Sequence, residues 1–571
     1  MHLNRGKLGL RAAVMAVAMM FAPLAAEAQD GFDFGAEDSA SDDGFNFDEG
    51  SGTASASAPV AIDTSSPAYA RYTEAQAKID SGQYLEAAQI LNDTISVGDD
   101  ASFAMAAQLH YELGRALYEA GYYQSALNHF DVVVQQGPTT KEFDLTLPYL
   151  VLIGRELPGE PNRYSRIYDN YLNKFPTEVA DTLLSEVGYL LAMAAYRESK
   201  LDDVVFFSGN VSQDSPYYGK SRCLEGVTYV RQNKGQPALD SFKEVLRWID
   251  AKAANGTLTD DEYRLRDFTL AALARVFYQV GSTLWKMGER EKAANSWATS
   301  IKYYNAFSRN SSMWLDALFE ASWAYYRVDN FGKALGLLLT LNSPFFNDKY
   351  YPEAMLLQAT IYYTNCHYDR VVDILSDYKA TYDPLKKQVD TLVSRLFQPE
   401  EVYEFLHMVQ NTDKDSYDPT LQQVLEAAVQ DRDLRRGLAY IDMLDDEKAR
   451  IQSSHFASTS LGQNMVQEID AARMLSIVEA GKKGKQRLER LQEELRDLSN
   501  RALDIEIETT EKYAARAELV EQDPNAILEF EREIDKVMSA DDEHLFWTFD
   551  GEYWKDELGY YWYHISSRCG R

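Results

Sequence analysis

The sequence predicts an all-α protein in which antiparallel helical hairpins stack into an α-solenoid. The main observation is a small residue followed twelve positions later by alanine, a pair that recurs as Gly114 and Ala126, Gly226 and Ala238, Gly281 and Ala293, and Ser322 and Ala334. Small residues that face each other let two helices pack closely, and repetition of such a hairpin produces a solenoid. In addition, 45% of the 571 residues are hydrophobic and 12% are aromatic, which is ample for an extended core.

The repeat region is predicted to span residues 67–383. One small residue marks the first helix of each hairpin, and these marker residues are Ala75, Gly114, Gly154, Ala192, Gly226, Gly281, Ser322 and Ala359. Consecutive markers lie 34 to 55 residues apart, and the shortest interval is typical of a two-helix repeat. The longer intervals require insertions, and we expect the largest one, residues 249–267, to contain a surface loop at residues 254–257.

Residues 1–28 have the three parts of a secretory signal peptide. Arg5, Lys7 and Arg11 form a basic start, residues 12–26 are apolar, and residues 26–28 fit a small-x-small cleavage site. An uncleaved membrane anchor is the alternative, but the apolar run is short for a membrane span. No cysteine follows the run, which disfavours a lipoprotein. The sequence therefore predicts a periplasmic or secreted protein that is not an integral membrane protein.

Residues 29–66 are predicted to be a disordered acidic linker. They are rich in Gly, Ser, Ala and Asp, and they carry too few apolar residues to offset the entropy of ordering the chain. Two similar elements, residues 31–34 and 44–47, each contain two phenylalanines and are followed by acidic residues. They are either linker drift or a bivalent docking motif in which two weak sites act together.

Helical patterning continues beyond the repeats. We expect a helical extension over residues 384–465 and long helices or a coiled coil over residues 466–540. In the second region, residues spaced alternately by three and four positions form a heptad seam. The seam fits either a helical hairpin, with residues 526–538 as its second arm, or a dimeric coiled coil. Its members are Met474, Ile477, Gly481, Gly484, Leu488, Leu491, Leu495, Leu498, Ala502 and Ile505, and the two glycines are expected to weaken its first half.

The C-terminal segment, residues 541–571, is unusually aromatic. Half of residues 546–563 are Phe, Trp or Tyr, and such a patch would be sticky if it were exposed. Either it folds back and caps the last helices, or it docks a protein partner or the rings of a sugar.

The net charge argues against nucleic-acid binding, and the cysteine content argues against a disulfide framework. The net charge is −32, and removal of the signal peptide's three basic residues and one acidic residue takes it to −34. Such a chain repels nucleic acid at long range. Three cysteines are too few for a disulfide framework, although an oxidising compartment allows one pair. We expect Cys223 and Cys366 to be buried thiols and leave Cys569 open.

Motifs of catalysis are missing from the sequence. None of the eight histidines lies at metal-binding spacing, and there is no phosphate-binding glycine loop or nucleophile elbow. His110 and His129 lie in a well-formed repeat and are expected to be structural. A glycosidase would need a paired-acid cleft, for which Glu552 and Glu557 are weak candidates. We therefore expect no enzymatic activity, no cofactor and no metal site.

The repeats resemble the tetratricopeptide repeat family. The matching features are the small marker, a large residue three positions later, alanine twelve later and an aromatic residue or leucine sixteen later, with Pro138 at a position that often closes the repeat. The resemblance implies a concave groove lined by the first helices that binds a peptide. Because the charged groove positions are mostly basic, an acidic or C-terminal peptide is the expected ligand. The groove residues implied are Tyr111, Arg115, Tyr118, Arg231, Arg275, Tyr278, Trp285, Lys286, Phe319, Trp323, Tyr326, Arg327 and Tyr363.

The overall arrangement is similar to periplasmic tetratricopeptide proteins of deltaproteobacteria, including those of the gliding-motility type. This resemblance is carried by residues 350–368 and by the ending at residues 550–561. It implies a non-enzymatic scaffold that assembles a complex of envelope proteins. The alternative is a cell-wall or polysaccharide-associated factor whose aromatic C-terminal segment contacts peptidoglycan or another glycan.

Overall fold

The computed structural model describes residues 62–172, 181–256, 258–346, 349–396, 398–411, 421, 425, 431–522 and 551–569. The described residues form twenty α-helices and contain no β-strand. The signal peptide and most of the acidic linker lie outside the described residues, so those two predictions are not tested. No helix among the described residues is long and apolar enough to cross a membrane.

Eight helix pairs form the repeat array and confirm the predicted fold class. A short helix, α3 (Asp100–Ala104), lies between the first two pairs. The pairs are α1 (Pro67–Asp80) with α2 (Tyr84–Val97), α4 (Ala106–Glu119) with α5 (Tyr123–Gln135), α6 (Lys141–Glu156) with α7 (Arg163–Tyr171), α8 (Asp181–Arg197) with α9 (Leu201–Gly209), α10 (Tyr218–Arg231) with α11 (Gly235–Asn255), α12 (Asp260–Lys286) with α13 (Arg290–Tyr304), α14 (Trp314–Arg327) with α15 (Phe331–Leu341), and α16 (Pro352–Thr364) with α17 (Tyr368–Arg395).

Each marker residue lies buried in the first helix of its pair. The three strongest glycine markers face an aromatic ring sixteen positions later. A Cβ atom on Gly226 would lie 2.6 Å from Phe242 Cε1, and one on Gly281 would lie 2.6 Å from Trp297 Cδ1. The alanine twelve positions later is also buried. The predicted close approach is therefore present, but glycine makes room for a ring rather than for a second small residue.

The turn between the two helices has a left-handed residue at the same position in seven of the eight pairs. Seven residues after the marker, the backbone adopts a positive φ at Gly82, Gly121, Ser199, Asn233, Gly288, Asp329 and Cys366. Left-handed backbone at this point ends the first helix and lets the next amide return to a carbonyl of the last turn. In the last repeat, His367 N–H donates to Tyr362 O at 2.9 Å. The pair marked by Gly154 departs from this rule, since Pro161 stands at the position.

The largest insertion is mostly helical, and the predicted loop is present but begins later than residue 254: Gly256 is exposed in a bend, and residues 258 and 259 precede α12. Helix α11 continues to Asn255 and α12 begins at Asp260, so residues 254 and 255 belong to a helix. Thr259 begins α12 with a capping box, in which its side chain and that of Glu262 each accept a backbone N–H of the other residue. The extra residues therefore lengthen two neighbouring helices.

Beyond the repeats, three helices tie the two ends of the array together. They are α18 (Pro399–Asn411), α19 (Arg432–Ser453) and α20 (Ser460–Gln522). Helix α20 has 63 residues and spans about 95 Å at 1.5 Å per residue. Its first residues share a core with the first repeats, through Leu461, Met465 and Ile469. Near its other end, Leu498 and Ala502 share a core with the last repeats.

The heptad seam therefore packs within the molecule. From Ile477 to Ile505 its residues contact α17, α18, α19 and the last repeats, whereas Met474 is exposed. Of the two alternatives, the dimeric coiled coil does not fit this helix, because the described seam residues from Ile477 to Ile505 pack against helices of the same chain. The proposed second arm, residues 526–538, lies outside the described residues.

The seam glycines permit a close helix crossing. A Cβ atom on Gly481 would lie 1.9 Å from Pro399 O, and one on Gly484 would lie 2.3 Å from Leu406 Cδ1. Both contacts are with α18. The expectation that these glycines weaken the seam is wrong, since they let the backbone of α18 reach α20.

Helix α19, which precedes α20, is held against the second repeat by hydrogen bonds. The Glu447 carboxylate accepts the backbone N–H groups of Gln124 and Ser125 at 3.0 Å each, and the Ser125 hydroxyl at 2.8 Å. It thereby caps the N-terminus of α5, where carboxylates are favoured by unpaired amides. Arg450 Nη2 donates to Gly121 O in the adjoining turn at 2.9 Å.

The C-terminal segment folds back onto the array, over residues 551–569. It lies against α14, α15 and α16. Cys569 forms a disulfide with Cys366, with a Cα–Cα distance of 5.3 Å. The prediction of Cys366 as a buried thiol is therefore wrong, whereas Cys223 is a buried free thiol.

Candidate functional site

The first helices form one continuous layer, as a tetratricopeptide-like groove requires. Consecutive first helices contact each other, for example α4 with α6 and α10 with α12. The thirteen residues predicted to line the groove fall into three groups in this layer. Three are buried, two are exposed, and the others are half-buried and contact neighbouring helices.

The buried group corrects the prediction for Arg275, Tyr278 and Trp323. The Arg275 side chain is only 1% exposed, and its Nε donates to Glu320 Oε2 at 2.7 Å. Tyr304 donates to the same oxygen at 2.7 Å. An ion pair this deeply buried joins α12 to α14 and offers no surface to a ligand.

The remaining two buried residues are interior for the same reason. Tyr278 is 1% exposed and accepts a hydrogen bond from Arg327 Nε at 3.1 Å. Burial raises the pKa of Tyr278, so its hydroxyl stays protonated at neutral pH. Trp323 is 2% exposed and packs within the core of the last repeats.

The half-buried group joins successive repeats. The Arg231 guanidinium stacks on the Tyr196 ring of the preceding first helix, 4.7 Å from its centroid. Arg115 Nη2 lies 3.8 Å from Asp80 Oδ1 of the preceding first helix, and the rings of Tyr111 and Tyr118 lie 6.1 and 5.3 Å from that of Tyr149. These side chains retain one accessible face, but much of their bonding capacity is used between repeats.

Phe319, Tyr326, Tyr363 and Arg327, which donates to Tyr278 of the preceding repeat, complete this group. The Phe319 ring lies 5.8 Å from that of Tyr351, and the Tyr326 ring lies 5.9 Å from that of Phe331. The Tyr363 hydroxyl donates to Glu508 Oε2 of α20 at 3.1 Å. Helix α20 therefore covers the predicted groove at the last repeat.

A second contact strengthens this closure. Arg501 Nη1 on α20 donates to Glu353 Oε1 at the start of α16 at 2.8 Å, and both side chains are largely buried. On α17, Lys379 pairs with Glu506 at 2.6 Å. Helix α20 consequently covers the inner layer at this end of the array.

Trp285 and Lys286 are exposed at the centre of the array. The Trp285 ring is 45% exposed, and Met287 beside it is 71% exposed. The Arg290 guanidinium lies 5.2 Å from the Trp285 centroid. We call Trp285, Lys286, Met287 and Arg290 the central patch. It combines an accessible ring with two cations at the end of one first helix.

The central patch belongs to a basic row along the array. Arg231, Lys286 and Arg327 each stand five residues after the marker of their repeat, in three consecutive pairs. Arg231 and Arg327 reach back to aromatic residues of the preceding repeat. Lys286 is exposed, so its ammonium group can take a carboxylate from another molecule.

The described residues contain no group of three or more His, Cys, Asp or Glu side chains arranged to hold a metal ion. His110 and His129 share one hydrogen bond between their Nδ1 atoms at 3.1 Å, so one ring donates and the other accepts. Burial, together with the charge of His110, lowers the pKa of His129 to about 3. Both rings are therefore neutral and join α4 to α5, as expected for structural histidines.

One interaction surface was missed by reasoning from the sequence. Residues 551–569 lie against α15 and the neighbouring turns, with turns of their own at residues 555–560 and irregular backbone at residues 561–568, and Tyr563 N–H donates to Gly332 O at 2.9 Å. The available signal was the pair Gly332 and Gly336, which are one helical turn apart and leave one face of α15 without side chains. The array thus already binds one aromatic segment, which belongs to its own chain.

No family model matches the sequence, and no curated protein matches it. Solved structures that match include yeast Tom70, at 12% identity over 72% of this chain and 97% of that one, with a TM-score of 0.18. The APC/C hetero-tetramer Cut9–Hcn1 matches at 11% identity over 74% of this chain and 91% of that one, with a TM-score of 0.20. A circular tandem repeat protein matches at 10% identity over 76% and 90%, with a TM-score of 0.13. At these TM-scores the fold assignment stands on the chain's own repeated helix pairs.

Proposed function

We propose that this protein is a non-enzymatic scaffold that binds other proteins through its inner helical layer. The observation that carries the proposal is the exposed central patch at the end of a first helix. The self-bound segment at residues 551–569 lies on α15, a second helix, and supports only the general point that these repeats can hold a peptide segment. The central patch then supplies an unoccupied surface for a partner. Its Trp285 ring and Lys286 ammonium group suit a peptide that carries both an apolar side chain and a carboxylate.

The distribution of charge on the chain favours an acidic or C-terminal peptide as the ligand. A protein with a net charge of −32 repels acidic peptides over most of its surface. The basic row is the exception in the inner layer, so an acidic or C-terminal peptide is directed to it. Side chains that stiffen the repeats, such as Arg275 with Glu320, keep this surface in one shape and lower the entropy cost of binding.

We place the protein in the periplasm or outside the cell, as part of an envelope complex with a role in motility. Two observations support the location. Residues 1–28 have the pattern of a cleaved secretory signal, and the Cys366–Cys569 disulfide is of a kind that persists in oxidising compartments.

The proposal is tested with the tagged full-length protein in cells that make it. A variant with Trp285→Ala and Lys286→Glu is compared with the wild type and with Lys482→Glu, a charge change of the same sign on the exposed side of α20. We expect the patch variant to recover about tenfold less of its partner, a loss of about 1.4 kcal/mol, and the control to recover normal amounts. Equal recovery by all three proteins would refute the proposal.

A glycan-binding function has one specific observation in its favour. Trp554, Tyr560 and Trp562 are 57%, 70% and 45% exposed on the outer side of the C-terminal segment. Exposed rings of this kind stack on sugars. Sedimentation with peptidoglycan tests it, and loss of sedimentation in the Trp554→Ala, Trp562→Ala variant would favour this second function.

A further inference from the structure

The C-terminal segment lies antiparallel to α15, along one stripe of that helix. Residues Gly332, Gly336 and Thr340 are spaced by four and form the stripe. Tyr563 N–H donates to Gly332 O, and Gly559 N–H donates to Thr340 Oγ1, both at 2.9 Å. The backbone N–H groups of the segment therefore form hydrogen bonds with α15 at both ends of the stripe.

The stripe is shaped for a peptide backbone. A Cβ atom on Gly336 would lie 1.9 Å from Tyr561 O, and one on Gly332 would lie 2.6 Å from Tyr563 O. Any larger side chain at either position would therefore push the segment off the helix. Glycine costs stability inside a helix, by about 1 kcal/mol relative to alanine. The close approach of the segment supplies a reason for two glycines in one eleven-residue helix.

Polar side chains on neighbouring elements hold the bend of the segment. Arg309 Nη2 donates to Asp556 O at 2.7 Å and also to Leu558 O, and its guanidinium lies 4.4 Å from the Tyr560 centroid. Lys333 Nζ donates to Gly559 O at 3.1 Å. These groups recognise carbonyl oxygens and an aromatic ring, which many peptide sequences can provide.

The disulfide between Cys366 and Cys569, which we call the latch, fixes the end of the segment to the array. Cys569 is bonded to Cys366, and the preceding Arg568 N–H donates to Asn365 O at 2.9 Å. Cys366 has a φ of +61° and stands at the turn position that Gly, Asn or Asp occupies in five other repeats. Cysteine gains nothing from that conformation. Its presence is explained by the bond to Cys569, which is exposed to solvent.

We propose that the α15 stripe is a peptide-docking site whose occupant is controlled by the Cys366–Cys569 disulfide. With the disulfide intact, the chain's own C-terminal segment holds the site. After reduction, the segment is released and the site accepts the same segment of a second copy. The site is separate from the central patch, so this inference does not depend on the partner proposed there.

Reduction requires a dithiol reductant. One thiolate of the reductant attacks Cys569 Sγ, the S–S bond breaks, and Cys366 leaves as a thiolate that takes up a proton. The second thiol of the reductant then attacks the mixed disulfide and releases Cys569. The products are two protein thiols and one oxidised reductant, so two electrons and two protons have been transferred.

The first experiment measures hydrogen exchange in the full-length Cys223→Ala protein, so that only the latch cysteines react. The amides of Gly559, Tyr563 and Arg568 are followed before and after treatment with dithiothreitol. We expect their exchange to accelerate by about tenfold or more on reduction, because the latch no longer limits opening. Unchanged protection after reduction would overturn the proposal.

The second experiment supplies the occupant in trans as a fluorescein-labelled synthetic peptide of residues 551–568. We expect saturable binding to reduced protein and to the Cys569→Ser variant, and binding about tenfold or more weaker to oxidised protein. Gly336→Leu blocks the stripe and should abolish binding in both redox states, while circular dichroism checks that the helices remain. Equal binding in both redox states, or none in either, contradicts the proposal.

Discussion

The close approach of paired helices at Gly226 leads to a sharp prediction. In Gly226→Ala, the added methyl group would lie 2.6, 2.8 and 2.9 Å from three atoms of the Phe242 ring. Carbon atoms normally stay about 3.5–4.0 Å apart, so the ring must move by about 1 Å. Phe242 is 1% exposed, and a buried ring has no free space into which to move.

The magnitude follows from two opposing effects. Overpacking a core costs about 1–3 kcal/mol, while replacing glycine by alanine inside a helix contributes about 1 kcal/mol of stability. Three contacts below 3.0 Å place this site in the upper half of the overpacking range. We therefore expect Gly226→Ala to destabilise its helix pair by about 1–2 kcal/mol.

Gly437→Ala is the matched control. Gly437 lies inside α19, and an added Cβ would meet Ala480 Cβ at 3.7 Å, an ordinary contact. Only the gain in helix propensity remains, so this variant should be more stable by about 0.5–1 kcal/mol. The same substitution is thus expected to have opposite signs at two helical sites.

Hydrogen exchange measures both effects locally, which matters because a repeat array does not unfold in one step. The opening free energy of α10 and α11 amides is compared between wild type and Gly226→Ala, and that of α19 amides for the control. Adding Phe242→Leu to Gly226→Ala should recover part of the loss. If Gly226→Ala stabilises α10 as Gly437→Ala stabilises α19, the packing account of the marker is wrong.

Three further predictions follow from buried groups. Glu320→Ala leaves the Arg275 charge buried and unpaired, so thermal unfolding and exchange of α12 should show a loss of about 3–5 kcal/mol. Gly481→Ala places a methyl group 1.9 Å from Pro399 O, and the amides of α18 should exchange faster as that helix is pushed from α20. The pKa of His129 is about 3 in the folded protein and 6.5 in the unfolded chain. Between these values only the unfolded chain takes up the proton, so the stability of the fold decreases as the pH is lowered. The loss between pH 6.5 and 5 should be about 1–2 kcal/mol for this partly exposed ring, and His129→Gln should remove it in pH-dependent unfolding.

Each of these predictions has a control at a site without the buried contact. Glu289→Ala removes an exposed carboxylate and should change stability by less than about 0.5 kcal/mol. His455→Gln removes an exposed histidine and should leave the pH dependence unchanged. Gly437→Ala serves for Gly481→Ala. Equal effects in variant and control would show that burial is not the cause.

The repeats could be predicted because their signals are local. Gly226 and Phe242 are sixteen residues apart, and the left-handed turn at Asn233 lies between them. A single sequence reveals such spacings directly. The repeats marked by Ala75 and Ala192, whose markers are alanines rather than glycines, are also present, with the same turn at Gly82 and Ser199.

The packing partners of α20 could not be predicted from spacings in the sequence. Its heptad seam fits a dimer, a hairpin or a groove between other helices equally well. What decides is that Gly481 meets Pro399 and that Glu447 on the preceding helix caps α5 more than 300 residues away. Contacts at such separations leave no spacing in the sequence.

The groove was half predictable for a related reason. Helical periodicity correctly places Trp285 and Arg275 on first helices, but it does not tell which side chain meets a neighbour. Glu320, 45 residues after Arg275, removes that cation from the surface. The Cys366–Cys569 bond is separated by 203 residues and depends equally on a distant surface, the stripe on α15.

The central claim is that a partner protein lies on the exposed centre of the inner helical layer. It is tested most directly with a photo-crosslinking amino acid at position 285 of the full-length protein in the producing cells. A position on the exposed side of α17, Val372, is the control, since it is 52% exposed and apolar. We expect one discrete crosslinked partner from position 285 that disappears when Lys286→Glu is added, and none from position 372. Absence of a crosslink at 285, or the same products from both positions, would contradict it.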